Sequence, residues 1–95
     1  MPKATVNGTV VAASDQCERV EGNYYFPPSA IAQDYFTPSS THTSCPWKGQ
    51  ASYYNLVVNG QEIKDAAWTY PQAKERAKNI EGYVAFYRNK VQIED

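Results

Sequence analysis

The clearest pattern in the chain is the run from Gly49 to Val58, GQASYYNLVV. In it Ala51, Tyr53, Asn55 and Val57 alternate with Ser52, Tyr54, Leu56 and Val58. A period of two places successive side chains on opposite faces of a β-strand. Asn59-Gly60 follows, then QEIKDAAWTY. Asn-Gly is the strongest short hairpin signal, because both positions of the tight turn need positive φ. The two runs therefore predict a hairpin, which Pro71 ends. A second Asn-Gly, at 7 and 8, predicts a hairpin from ATV into TVVAAS.

Elsewhere the pattern is shorter. QCERVEG alternates Cys17, Arg19 and Glu21 against Glu18 and Val20 and predicts a short strand, with NYYF after it. Prolines at 27, 28 and 38 argue against a central strand. Residues 27–44 read as a long ordered loop, in which Pro28 opens one helical turn through Ile31 and Ala32. Loops of that length in compact domains are often functional. QAKERAKNI predicts two helical turns with Ala73, Ala77 and Ile80 on one face, broken by Gly82. YVAFYRNKVQIE predicts a final hairpin around Arg88-Asn89, with Tyr83, Ala85 and Tyr87 on one face and Val84 and Phe86 on the other. The expected fold is mainly β: a small single domain spanning residues 1–95, with about seven short antiparallel strands and one or two short helices.

Composition supports that picture. A 95-residue chain with 42% apolar and 20% charged residues suits one modest core. Eight tyrosines imply a core with many polar tips, or a polar-lined pocket. Nine basic residues against ten acidic ones give no basic patch, so no nucleic-acid partner is expected. No apolar run approaches spanning length and MPKATVNGTV has no signal-peptide core. The expectation is a cytoplasmic monomer or homodimer without a membrane partner. Its thiols stay reduced there, so Cys17 and Cys45 are expected to be free. Two cysteines and one histidine cannot supply two Cys-x-x-Cys pairs. At most His42, Cys45 and the distant Cys17 make three zinc ligands; no metal and no cofactor is expected.

Candidate chemistry concentrates in THTSCPWKGQASYY, residues 41–54. Cys45 is a candidate nucleophile, with His42 as base and Lys48 favouring the thiolate. If 42–45 form a turn, the two side chains meet. The alternative is a small buried thiol and an ordinary loop histidine. Lys48 reads as an anchor for an anion, with Gly49 letting a ligand approach the backbone, or as a solvated edge lysine. Trp47, Tyr53, Trp68 and Tyr70 form either the walls of a pocket for a flat or cationic ligand or simply the core of a chain with one leucine. Glu21 is a candidate general base and Tyr24 a candidate acid; Asp65 is a further carboxylate of the same kind.

Four motifs, YFPPSAI, CPWKGQASYY, AAWTYP and GYVAFY, carry a resemblance over essentially the whole chain. There the sequence closely resembles the bacterial family known as domain of unknown function 427, sometimes labelled a nucleotidyltransferase domain. The resemblance implies a small, mainly β fold similar to the β-tent of methionine sulfoxide reductase B, the Mss four-like zinc proteins and the cereblon ligand-binding domain. Those relatives differ widely in function, so the fold alone assigns none. Polymerase-type nucleotidyl transfer needs paired carboxylates holding Mg²⁺. The chain has no Asp-x-Asp or Glu-x-Asp pair and no Gly-x-x-x-x-Gly-Lys-Ser loop.

Three functional expectations stand at this point. The first is a small-molecule pocket, with or without chemistry, walled by CPWKG and AAWTYP and binding a small polar or anionic ligand. The second is a non-catalytic aromatic-cage binding or interaction module. The third is nucleotidyl transfer, for which the residues give little support.

Overall fold

Three hairpins share one two-residue turn. Asn7-Gly8, Glu21-Gly22 and Asn59-Gly60 all have positive φ at both positions, the backbone twist that matches the strands such turns join. The computed structural model describes residues 1–95. The first turn joins β1 (Lys3–Val6) to β2 (Thr9–Ala13), and the second joins β3 (Glu18–Val20) to β4 (Asn23–Tyr25). After β5 (Phe36–Cys45), the third turn joins β6 (Gly49–Val58) to β7 (Gln61–Thr69). Two short strands follow, β8 (Val84–Phe86) and β9 (Gln92–Glu94).

All pairings are antiparallel. They build a four-stranded sheet in the order β5-β6-β7-β8, a three-stranded sheet β2-β1-β9, and the β3-β4 hairpin. Phe26 and Val84 exchange backbone hydrogen bonds of 2.7 and 2.9 Å, which attach that hairpin beside β8. The radius of gyration, 12.4 Å, matches one compact domain of this length. No helix is long and apolar enough to cross a membrane.

Alternation along the central sheet creates two cores. Leu56 and Val58 of β6 and Val84 and Phe86 of β8 pack with Phe26, Phe36, Val11 and Val91 on one face. Ala51, Tyr53 and Ala85 point the other way and pack with Tyr25, Tyr70, Ala77 and Ile80. Leu56, Phe26 and Ile80 are fully buried, each worth about 1.5–3 kcal/mol relative to exposure.

Several expectations need correction. The loop from 27 ends at Tyr35, after two 3₁₀ turns, Pro28–Ala30 and Gln33–Tyr35; Phe36 already begins β5. Pro38 does lie in a strand, because β5 is the sheet edge, where a missing N–H costs no ladder bond. The segment after Pro71 is a kinked 3₁₀ stretch, Glu75–Ile80, and not an α-helix. Its Lys74 N–H is spent on the Lys48 carbonyl, and an isolated helix this short is not self-sustaining. Ala73, Ala77 and Ile80 are nonetheless all buried, as their spacing indicated. The last two strands form no hairpin: β8 pairs with β7 and β9 with β1. The strands number nine, because Asn23–Tyr25 and the edge strand Phe36–Cys45 add to the seven expected.

The Cys45–Lys48 corner

The turn Pro46–Lys48 joins β5 to β6, with Cys45 paired across from Gly49. Gly49 has φ +116°, and a Cβ there would approach the Gln72 carbonyl oxygen to 3.1 Å. Backbone conformation and space both demand glycine. The segment after Pro71 braces the corner from behind: Lys74 N–H donates to the Lys48 carbonyl at 3.0 Å, and Lys74 Nζ to the Pro46 carbonyl at 2.9 Å.

This bracing turns Lys48 inward. It is the only buried charged residue of the chain, 5% exposed. Its ammonium donates to a Glu21 carboxylate oxygen, lies 4.6 Å from the Trp47 ring centroid and 5.8 Å from that of Tyr70. Glu21 arrives from the β3-β4 turn, where its φ is +53°. That conformation is uncommon for a residue with an ordinary side chain and often marks a functional position.

The electrostatics follow from this placement. Burial alone would lower the Lys48 pKa, but the Glu21 hydrogen bond and the neighbouring Tyr70 and Cys45 outweigh it and raise it. The Lys48 bond holds the Glu21 carboxyl below its ordinary value; desolvation opposes this, and the Trp47 side chain adds to it. Cys45, half-buried, behaves in the opposite sense to a thiol in an apolar site. Desolvation would raise its pKa, yet the backbone amides of Lys48 and Trp47 and the Lys48 ammonium together bring it down. Burial pushes the Tyr70 hydroxyl up to about 12, so it stays a proton donor at neutral pH.

An aromatic row continues from the corner along the same face. Trp68 Nε1–H donates to the Tyr25 hydroxyl at 3.3 Å, with the rings edge-on at 6.2 Å. Trp68 and Tyr87 lie 4.7 Å apart, and Tyr87 stacks on Tyr53 at 6.3 Å. The Tyr53 hydroxyl bonds both the Tyr87 hydroxyl at 3.3 Å and Thr43 Oγ1 at 2.9 Å.

The structure thus brings Cys45, Trp47, Lys48, Gly49, Tyr70 and Glu21 to one corner, and pairs Tyr53 with Trp68 across the sheet. It does not bring His42 to Cys45. Residues 42–45 form a strand and not a turn, and a separation of three then sends the two side chains to opposite faces. His42 Nδ1 instead lies 3.3 Å from Ser52 Oγ. Tyr24 likewise points away, under the Arg19 guanidinium at 4.7 Å from its ring centroid. Its neighbour Tyr25 reaches the aromatic row, which the doublet left open in the sequence. Asp65 has no part in the corner. With φ +50° it sits in a bulge of β7 and accepts from Ser39 Oγ at 2.5 Å and Thr41 Oγ1 at 2.8 Å.

The expected pocket between CPWKG and AAWTYP is filled by side chains. Tyr53 and Tyr70 are 9% and 6% exposed and belong to the second core. The hollows of the surface lie elsewhere. One, about 570 Å³, runs past Arg19, Tyr24 and residues 88–95; the other, about 150 Å³, lies among Gln50, Ser52, Pro71 and Gln72. No three His, Cys, Asp or Glu side chains gather to hold a metal ion. Cys17 packs against the first core and Cys45 against the second.

A search of curated proteins found no match. The family model for the domain of unknown function DUF427 matches residues 2–95. With nearly every residue matched, the chain belongs to the DUF427 family.

Proposed function

We propose that the corner binds a small polar or anionic molecule and that Cys45, as the thiolate, is its nucleophile. The observation that carries this reading is a buried Lys48 ammonium set beside a half-buried thiol whose pKa it helps to lower. The thiolate is the reactive form of cysteine, and positive surroundings favour it. With His42 on the other face, no imidazole serves as base. Lys48 acts by charge alone: it stabilises the thiolate without accepting its proton. Trp47, half-buried, flanks the ammonium and would form the wall against which a ligand packs, while the buried Tyr70 lies behind it with a hydroxyl that remains protonated.

A library of small chloroacetamides, read by intact-protein mass, tests this. The expected result is capture at Cys45 before Cys17, with Lys48→Met removing the preference. Equal capture at both thiols, or faster capture at Cys17, would overturn it.

A non-catalytic binding module is the second reading. It is favoured by Tyr87, which is 37% exposed beside Trp68. Here Cys45→Ser would leave ligand affinity unchanged, and aromatic substitutions would abolish it.

A further inference from the structure

Lys48 and Glu21 form an unequal pair. The lysine side chain is 6% exposed and the glutamate side chain 57%. An exposed carboxylate touching a buried ammonium lies between that ammonium and solvent. A buried ammonium without a facing anion is strongly disfavoured and tends to give up its proton, so Glu21 leaves most readily when another anion takes its place.

The hairpin tip is built to allow such an exchange. Glu21-Gly22 is a two-residue turn between strands of three residues each. Nothing lies within 4 Å of where a Cβ on Gly22 would sit. Two charged side-chain contacts hold the tip, Glu21 to Lys48 and Arg88 to the Gly22 carbonyl, and the Trp47 side chain also reaches Glu21. Glu21 also adopts the positive φ of its two-residue turn without being glycine, asparagine or aspartate, so the turn holds it against its backbone preference.

We propose that the Glu21 carboxylate is a displaceable stand-in for the carboxylate of the molecule that binds here, so that the site selects small organic acids bearing an electrophilic carbon next to the acid group. The acid group replaces Glu21 on Lys48, and the electrophilic carbon faces Cys45. This rests on the reading of Cys45 as the nucleophile. The group that now fills the position is a carboxylate, and a carboxylate is therefore the anion assigned to the ligand.

Iodoacetate and iodoacetamide give a matched pair of probes. With iodoacetate the thiolate sulfur bonds to the methylene carbon, the carbon–iodine bond breaks, and iodide leaves with the electron pair. Iodoacetamide reacts identically but carries no charge. The ratio of the two rates cancels any change in thiolate population, and Cys17 in the same chain is the reference. The expected result is a higher iodoacetate preference at Cys45 than at Cys17. Glu21→Gln should raise it about five-fold or more, the usual size of a coupling between competing ligands, and Lys48→Met should return it to the Cys17 value. If Glu21→Gln does not fold, protection of wild-type Cys45 from iodoacetamide by propionate decides instead. Rapid reaction at Cys45 with a ratio equal to that of Cys17, or absence of protection, overturns this proposal alone. Protection by inorganic phosphate as strong as by propionate overturns the carboxylate assignment. Reaction at Cys45 no faster than at Cys17 with either probe removes the nucleophile reading beneath it.

Discussion

The Lys48 ammonium is buried while the Glu21 carboxylate that neutralises it stands largely in water. The two partners therefore carry unequal weight. Removing the carboxylate strands a charge inside the protein, whereas removing the lysine leaves an exposed glutamate. Glu21→Gln should lower the thermal midpoint clearly. Lys48→Met, which keeps the buried stem, should lower it less or raise it. The double variant should recover most of the loss. Equal losses from the two single variants would show an ordinary surface pair.

Gly49 should be the least replaceable glycine. Gly49→Ala meets both a positive φ and the Gln72 carbonyl, and should cost about 1–3 kcal/mol in denaturant unfolding. Gly60→Ala shares the positive φ but meets open space. A cost at Gly60 as large as that at Gly49 would mean that the braced turn yields easily.

Much of this arrangement was legible in the sequence, and what was hidden has physical reasons. Asn7-Gly8 and Asn59-Gly60 gave their hairpins directly, because the turn chemistry is local. Glu21-Gly22 makes the same turn without the asparagine that announces it, so the arrival of Glu21 at Lys48 could not be seen. Cys45, Lys48 and Gly49 are legible as a unit because they lie together in sequence around one turn. His42 lies near them in sequence, but the strand sends its side chain to the opposite face. The strand was hidden by Pro38 and by facing irregularities. β5 bulges between Pro38 and His42, β7 opposite Tyr54–Leu56, and Asp65 clamps the two through Ser39 and Thr41. Such tertiary clamps leave no periodicity to read. The two short terminal strands are adjacent in sequence and suggest a hairpin, while their partners, β7 and β1, lie far from them along the chain.

The same clamp contributes to the acid sensitivity of the fold. The hydroxyls of Ser39 and Thr41 hold the Asp65 carboxyl below its ordinary value, as Lys48 does for Glu21. The folded chain then binds fewer protons than the unfolded one as pH falls. The stabilisation is complete above the ordinary carboxylate range and is lost as pH drops through the folded values. The thermal midpoint should decline from about pH 5 downward, and Asp65→Asn should flatten part of that decline. A midpoint indifferent to acid, or unchanged in slope by Asp65→Asn, would contradict the clamp.

At the alkaline end burial raises Tyr25, and two more of the eight tyrosines should also ionise late. Tyr70 is pushed up to about 12 by burial, and Tyr87 to about 12 by its hydrogen bond with Tyr53 and then by burial. Ionising either group costs the folded state, so stability present below about pH 10 should fall as pH rises through the folded values. Tyrosinate absorbance should show a delayed component, and Tyr53→Phe should move Tyr87 out of it. A single uniform titration in folded protein would argue against the stacked hydroxyl pair.

The two cysteines supply the decisive comparison. Burial, with Asp15 adding to it, raises the Cys17 pKa; the amides of the corner and Lys48 lower that of Cys45 against its own desolvation. The measurement is the iodoacetamide alkylation rate of each thiol against pH, resolved by peptide mass. Cys45 should reach its full rate at lower pH than an ordinary thiol, near about 8.5, and Cys17 at higher pH. Lys48→Met should carry Cys45 upward. If Cys45 titrates with Cys17 or above it while the protein is folded, the corner holds no activated thiol, and Cys45 is a packing residue.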